Sequence, residues 1–138
     1  MNFFSKLINW FLLFWRDLGL ASRAVFSWVF VKIYLIVALA FNITSWVAMW
    51  LIYRNIAQDL TVLHYNVAFG IDLIGDRGQL FSNPELGLFF IVFDLIVLLL
   101  LSRSRDFKLF GHLLLAAAAF TNFLLALSII SVYLINFH

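Results

Sequence analysis

Along this chain, charged residues gather in short clusters, and the long stretches between them carry almost none. Three stretches are long and apolar enough to cross a bilayer, since about 20 helical residues span a hydrocarbon core of roughly 30 Å. They are Ile33 to Tyr53, Leu86 to Ser102 and Leu109 to Asn136. The first is expected to begin near Val25, giving a span over 25–53, with Lys32 extending its ammonium to the headgroups. The second, 86–102, is short and is expected to stand close to the membrane normal or to thin the bilayer. The third, 109–136, is long enough to tilt.

The first 24 residues follow a different pattern. Phe3, Phe4, Leu7, Ile8, Phe11, Phe14, Trp15 and Leu18 recur at helical spacing, opposed by Ser5, Lys6, Asn9, Arg16 and Asp17. That arrangement predicts an amphipathic helix lying on the membrane surface. A cleaved signal peptide is the rival reading, with Leu7 to Trp15 as its apolar core and Leu20-Ala21-Ser22 as the cleavage zone. Arg16 and Asp17 interrupt the pattern where such a core should continue, so interfacial anchoring is preferred, with a partner-binding helix as the sharper alternative.

Between the first two spans, over 54–85, the period changes. From Val62 to Asp72, Leu63, Tyr65, Val67, Phe69 and Ile71 alternate with His64, Asn66, Gly70 and Asp72. Alternation of this kind predicts extended backbone with an apolar underside packed onto the helix ends. Gly70 and Gly75 are natural bend points, and a reversal near Ala68 to Gly70 would bring His64 towards Asp72. The fold class that follows is an all-α membrane protein: three transmembrane helices, an N-terminal interfacial helix and a short, partly extended loop between the first two spans. The whole chain, 1–138, reads as one membrane domain.

Composition supports the class. Hydrophobic residues make up 65% of the chain and charged residues 12%, with a mean hydropathy of +1.05, values that a soluble domain of this size does not normally tolerate. There are no cysteines, which excludes disulfides and thiolate chemistry. Charge placement predicts orientation. The 103–108 turn holds Arg103, Arg105 and Lys108 against Asp106, and the first segment holds Lys6, Arg16, Arg23 and Lys32, so both are expected to be cytoplasmic. The 54–85 loop, with Asp59, Asp72, Asp76 and Glu85 against Arg54 and Arg77, and the C-terminus are then extracytoplasmic, in a bacterial plasma membrane or its equivalent. Trp28 and Tyr34 at one side, and Trp46, Trp50 and Tyr53 at the other, fit aromatic belts. The Ala116 to Ala119 run provides a smooth face for close helix approach.

Candidate chemistry is sparse. Asp94 is an ionisable residue inside a span, where a buried partner or a functional role is the default expectation. Asn42, Asp94, Thr121 and Asn122 lie near the midpoints of the three spans and are expected to form one intramembrane polar layer, in which Asn42 and Asn122 hydrogen-bond a protonated Asp94. Proton exchange or an ion path through Asp94 is the alternative. In the loop, His64 with Asp59, Asp72 and Asp76 has the chemistry for zinc or a general base, and His138 could join it from the same side. Such a site needs three convergent ligands, however, and a backbone-shaping role for His64, Asn66 and Asp72 is favoured. No phosphate loop or nucleophile elbow is present.

His64-Tyr65-Asn66, then Asp72 eight residues after the histidine and Gly75 three further on, with Pro84 opening the next span, resembles the domain-of-unknown-function 1648 family. That membrane domain also occurs in the immunity protein against the sporulation-delaying toxin. The resemblance covers roughly 33–101 and implies that His64, Tyr65, Asn66, Asp72 and Gly75 shape a loop between two transmembrane helices, with no catalytic activity. The chain departs from the family pattern at Val62, where a proline is usual, and at Gly70, one position late.

The function expected is that of a small, non-enzymatic structural or interaction subunit of a membrane assembly, in contact with lipid and with copies of itself or other membrane chains. It needs no cofactor, metal or nucleic acid. The alternatives are a proton or ion transport component using Asp94, and an immunity-like or sensor membrane protein.

Overall fold

In a computed structural model the described residues form four α-helices and a two-stranded sheet. The structure describes residues 3–56, 60–66, 68 and 70–137, without the side chains of Phe3, Ser5, Tyr65, Asn66 and Asp72. Helix α1 is Phe3–Phe26 and α2 is Val29–Asn55. Strands β1 (Leu60–Asn66) and β2 (Gly70–Asp76) follow, then a 3₁₀ turn, Arg77–Phe81, that runs into α3 (Ser82–Leu100), and finally α4 (Phe107–Phe137). Three stretches are candidate membrane spans by length and apolarity: Val29–Asn55, Arg77–Leu100 and Phe107–Phe137. This is a small helical membrane protein.

The break between α1 and α2 falls later than expected. Trp28 adopts extended backbone (φ −83°, ψ 125°), and Ser27 and Trp28 donate back to the carbonyls of Arg23 and Val25. Val25 is fully buried, but it closes α1 rather than opening the first span. Its burial has a simple cause: the last two turns of α1 fold against α2 and α3, so the apolar residue at the corner is enclosed from both sides.

Helices α2 and α4, with 27 and 31 residues, run about 40 and 46 Å, whereas the 19 residues of α3 run about 28 Å. α3 therefore accompanies its neighbours over part of their length only, and the molecule has two layers. In the first, α2, α3, α4 and the end of α1 enclose Val31, Leu35, Ala38, Ile91, Leu98, Leu115 and Ala118. Small residues allow close approach here; a Cβ on Gly111 would stand 3.0 Å from the Phe30 ring. In the second layer α3 is absent, and the 3₁₀ turn and hairpin take its place. Met49, Ile52, Ile56, Ile129 and Val132 pack around Leu80, with Leu63 and Phe81 against them.

The hairpin pairs Leu60 with Asp76, Val62 with Ile74 and Asn66 with Gly70, and a bulge shifts the register around His64, whose partner is Leu73. Gly70 has φ +80°, the left-handed conformation in which a glycine is favoured after a tight reversal. The alternating segment is thus two strands, with the reversal before Gly70 that the sequence suggests. Its underside is Leu63, whereas Ile71, on the same parity, stands 51% exposed because it belongs to the returning strand.

Candidate functional site

Two asparagines in the apolar helices hold the layers at their junction. Asn42 and Asn122 are the central residues of α2 and α4, and both are buried. Asn42 Nδ2 donates to the Pro84 carbonyl (2.8 Å) and to Asn122 Oδ1 (3.1 Å). Asn122 Nδ2 donates to the carbonyls of Gly87 (3.1 Å) and Ala118 (2.9 Å). Both donor protons of each amide can thus be used, and three helices are joined in one clasp. Away from water the alternative to such bonds is an unsatisfied amide, so the clasp also fixes the depth at which α3 begins. Gly87 makes the approach possible. A Cβ there would meet Asn122 Oδ1 and stand 2.8 Å from Asn42 Nδ2.

Asp94 is not part of this clasp, which corrects the single polar layer expected from the sequence. It lies seven residues beyond Gly87, about 10 Å further along α3. The expectation assumed that the three spans share a midpoint, but the clasp grips α3 in its first two turns, at Pro84 and Gly87. Asp94 is therefore carried deeper into the helix-only layer. It is 7% exposed, one turn from Ile91 and one from Leu98, and has no hydrogen-bond or ion-pair partner among the described residues. Thr121 is half-buried and makes no hydrogen bond among the described residues, while Thr44 and Ser45 bond the carbonyls of Ala40 and Phe41 in their own helix.

A second asparagine contact, absent from the sequence reading, ties down the hairpin. Asn136, near the end of α4, accepts from the Val62 amide (3.1 Å) and donates to the Val62 carbonyl (2.9 Å). One side-chain amide thereby takes the place of a neighbouring strand on the free edge of β1. Asn83 Nδ2 donates to Ser128 Oγ (3.0 Å) and joins α3 to α4 close by. The signal that could have revealed Asn136 is its spacing of fourteen residues from Asn122, which puts both on nearly one face of α4.

Of the loop residues singled out by sequence, His64 is exposed on β1 opposite Leu73, one residue from Asp72 in the paired strand. The backbones of Tyr65, Asn66 and Asp72 lie in the hairpin, and their side chains are outside the described set. Gly75 faces Gln79 and Leu63, whose Cδ1 is 2.6 Å from where a Cβ would stand; close packing explains the glycine. Asp59 and His138 fall outside the described residues. Among the described residues, no three His, Asp or Glu side chains converge on a metal-sized space.

Among the described residues, three concavities bear on the site. The largest, about 880 Å³, is an apolar groove between α2 and α4 running from Phe41 and Phe123 to Asn55 and Phe137. Another, about 360 Å³, lies under the hairpin among His64, Leu73, Asn83 and Ser128. The third, about 240 Å³, separates α1 from the end of α3, between Phe14 and Leu18 on one side and Leu99 and Arg103 on the other. None of the three includes Asp94. Comparison with family models, with curated proteins and with solved structures gave no match to this chain.

Proposed function

We propose that this protein is a non-catalytic subunit of a membrane assembly, and that the hairpin layer is where it meets other chains. The observation that carries the reading is apolar exposure outside the helices. Leu60, Ile71, Leu73 and Ile74, all on the hairpin, are 51–61% exposed. Exposed apolar side chains along the spans are expected to face lipid, whereas the hairpin is the connection between two spans, set beside the ends of α2 and α4. Exposed apolar residues on such a connection mark a contact surface. The hairpin is also rigidly mounted, through Asn136 and through Leu63 in the second cluster, so it presents a fixed shape. The positive residues at the opposite end support a cytoplasmic basic end and an extracytoplasmic hairpin. The resemblance of the His64 segment to the domain-of-unknown-function 1648 family points the same way, because it implies a loop-shaping role and no reaction.

Photo-crosslinking from a benzoylphenylalanine placed at Ile74 tests this in the native membrane. A discrete adduct, to a second copy or to another chain, is expected; labelling of lipid alone would remove the basis for the reading.

Asp94 favours a second reading, as the ionisable element of a proton or ion path formed with other chains. A buried carboxylate without a partner is costly unless it stays neutral or is used. In the subunit reading Asp94→Asn leaves assembly and phenotype intact. Loss of vesicle flux by that variant, with the protein still assembled, would select transport instead.

A further inference from the structure

Helix α1 carries one continuous stripe, Phe4, Leu7, Phe11, Phe14, Leu18, Ser22 and Val25, at spacings of three and four residues. Protein covers only its last part. Val25 is buried and Leu18, Ala21 and Ser22 are half-buried against α2 and α3, while Phe4, Leu7, Phe11 and Phe14 are 49–73% exposed. Trp10 and Trp15 flank the exposed part and are themselves 66% and 54% exposed. The face that docks on the bundle therefore runs on past it, beside the ends of helices that are long and apolar enough to lie in lipid.

The same end of the molecule is strongly positive. Lys6, Arg16 and Arg23 on α1, Lys32 near the start of α2, and Arg103, Arg105 and Lys108 in and beside the α3–α4 turn are opposed there by Asp17 and Asp106 alone among the described residues. Asp17 is shared between Arg16 and Arg103, at 3.6 Å from each, which ties the turn to α1. Lys108 lies over the Trp28 ring at 4.5 Å, a cation–π contact. The 240 Å³ crevice opens between these groups, with apolar walls from Phe14, Leu18 and Leu99 and with Asp17, Ser102 and Arg103 as its polar lining, the Asp17 carboxylate being paired with Arg103.

We propose that this basic end is a binding surface for anionic phospholipids. Acyl chains cover the Phe4 to Phe14 stripe and enter the crevice, and headgroup phosphates pair with Arg103, Arg105 and the cations of α1. A zwitterionic headgroup carries its own cation and gains little from so many positive groups, so the surface discriminates by net lipid charge. The inference does not depend on the hairpin reading, since it concerns the opposite end of the fold.

The test is tryptophan quenching in vesicles of equal parts phosphatidylglycerol and phosphatidylcholine, with bromine on the chains of one lipid or the other. The full chain is compared with its Trp10→Phe/Trp15→Phe variant to isolate the α1 signal. Brominated phosphatidylglycerol is expected to quench that signal at least about twofold more than brominated phosphatidylcholine. The excess should shrink in 0.5 M salt, roughly half the Debye length of physiological buffer, and in Arg103→Gln/Arg105→Gln/Lys108→Gln. The salt titration uses the unmodified chain, so the test survives misfolding of the triple variant. Equal quenching by both lipids would overturn the proposal, as would Trp10 and Trp15 shielded from both, the sign of a protein partner on α1.

Discussion

The two layers of this molecule share α2 and α4 but differ in the third component, and that difference shows how a polar group is accommodated in an apolar chain. In the helix-only layer the third component is α3, whose backbone hydrogen bonds are made within itself, so beyond its first two turns it packs by shape. In the other layer it is a hairpin, which has a free edge of N–H and C=O groups on each strand. Part of that edge is satisfied by a side chain, Asn136 on Val62. Where the layers meet, Asn42 and Asn122 do the related task of gripping the first turns of α3. Asparagine thus appears where helix packing ends and irregular backbone begins.

The sharpest way to break this comparison is at Gly87. A methyl group there would collide with both clasp amides, so Gly87→Ala is expected to destabilise the protein by about 2–3 kcal/mol, as overpacking does in closely packed sites. Thermal unfolding in detergent measures it, and an unchanged Tm would show that α3 is not seated at the clasp.

Next in size is the clasp itself. Asn122→Ala should cost about 1–2 kcal/mol, since it removes two interhelical bonds and leaves the Asn42 amide short of a partner. Asn42→Ala should cost less, because Asn122 keeps the Gly87 and Ala118 carbonyls. The pair should be non-additive by about 0.5 kcal/mol or more, which a double-mutant cycle reads directly.

Asn136→Ala is expected to act on one layer only. The loss is about 1 kcal/mol, and it should fall on the hairpin, whose amides exchange faster while those of α3 do not. The smallest effect belongs to Asp94→Asn, under about 1 kcal/mol in either direction, because Asp94 has no bond among the described residues for asparagine to lose.

Much of the fold could be read from sequence because the bilayer imposes so direct a pattern. The three spans follow from apolar length, α1 from a stripe of three- and four-residue spacing, and the extended loop from alternation ending at Gly70. The polar layer was not legible. Asn42, Asp94 and Asn122 each lie near the middle of an apolar run, and equal depth follows only if the runs are centred on one plane. The bonds from Asn42 to Pro84 and from Asn122 to Gly87 set a different register, and hydropathy carries no trace of it. Asn136 was hidden for a related reason: its partner is backbone 74 residues away, and backbone groups have no sequence signature. The α1–α2 corner was misplaced by a few residues because Val25 and Phe26 are as apolar as the span they precede.

If the hairpin layer is a separately mounted unit, fixed to α4 by Asn136, it can loosen without disturbing the helix bundle. Hydrogen exchange of the Asn136→Ala protein in lipid nanodiscs tests it most directly. Faster exchange is expected over β1 and β2, the Val62 amide foremost, with α3 and the first halves of α2 and α4 unchanged. Uniformly faster exchange through all four helices would contradict it, and would mean that hairpin and bundle form one cooperative body.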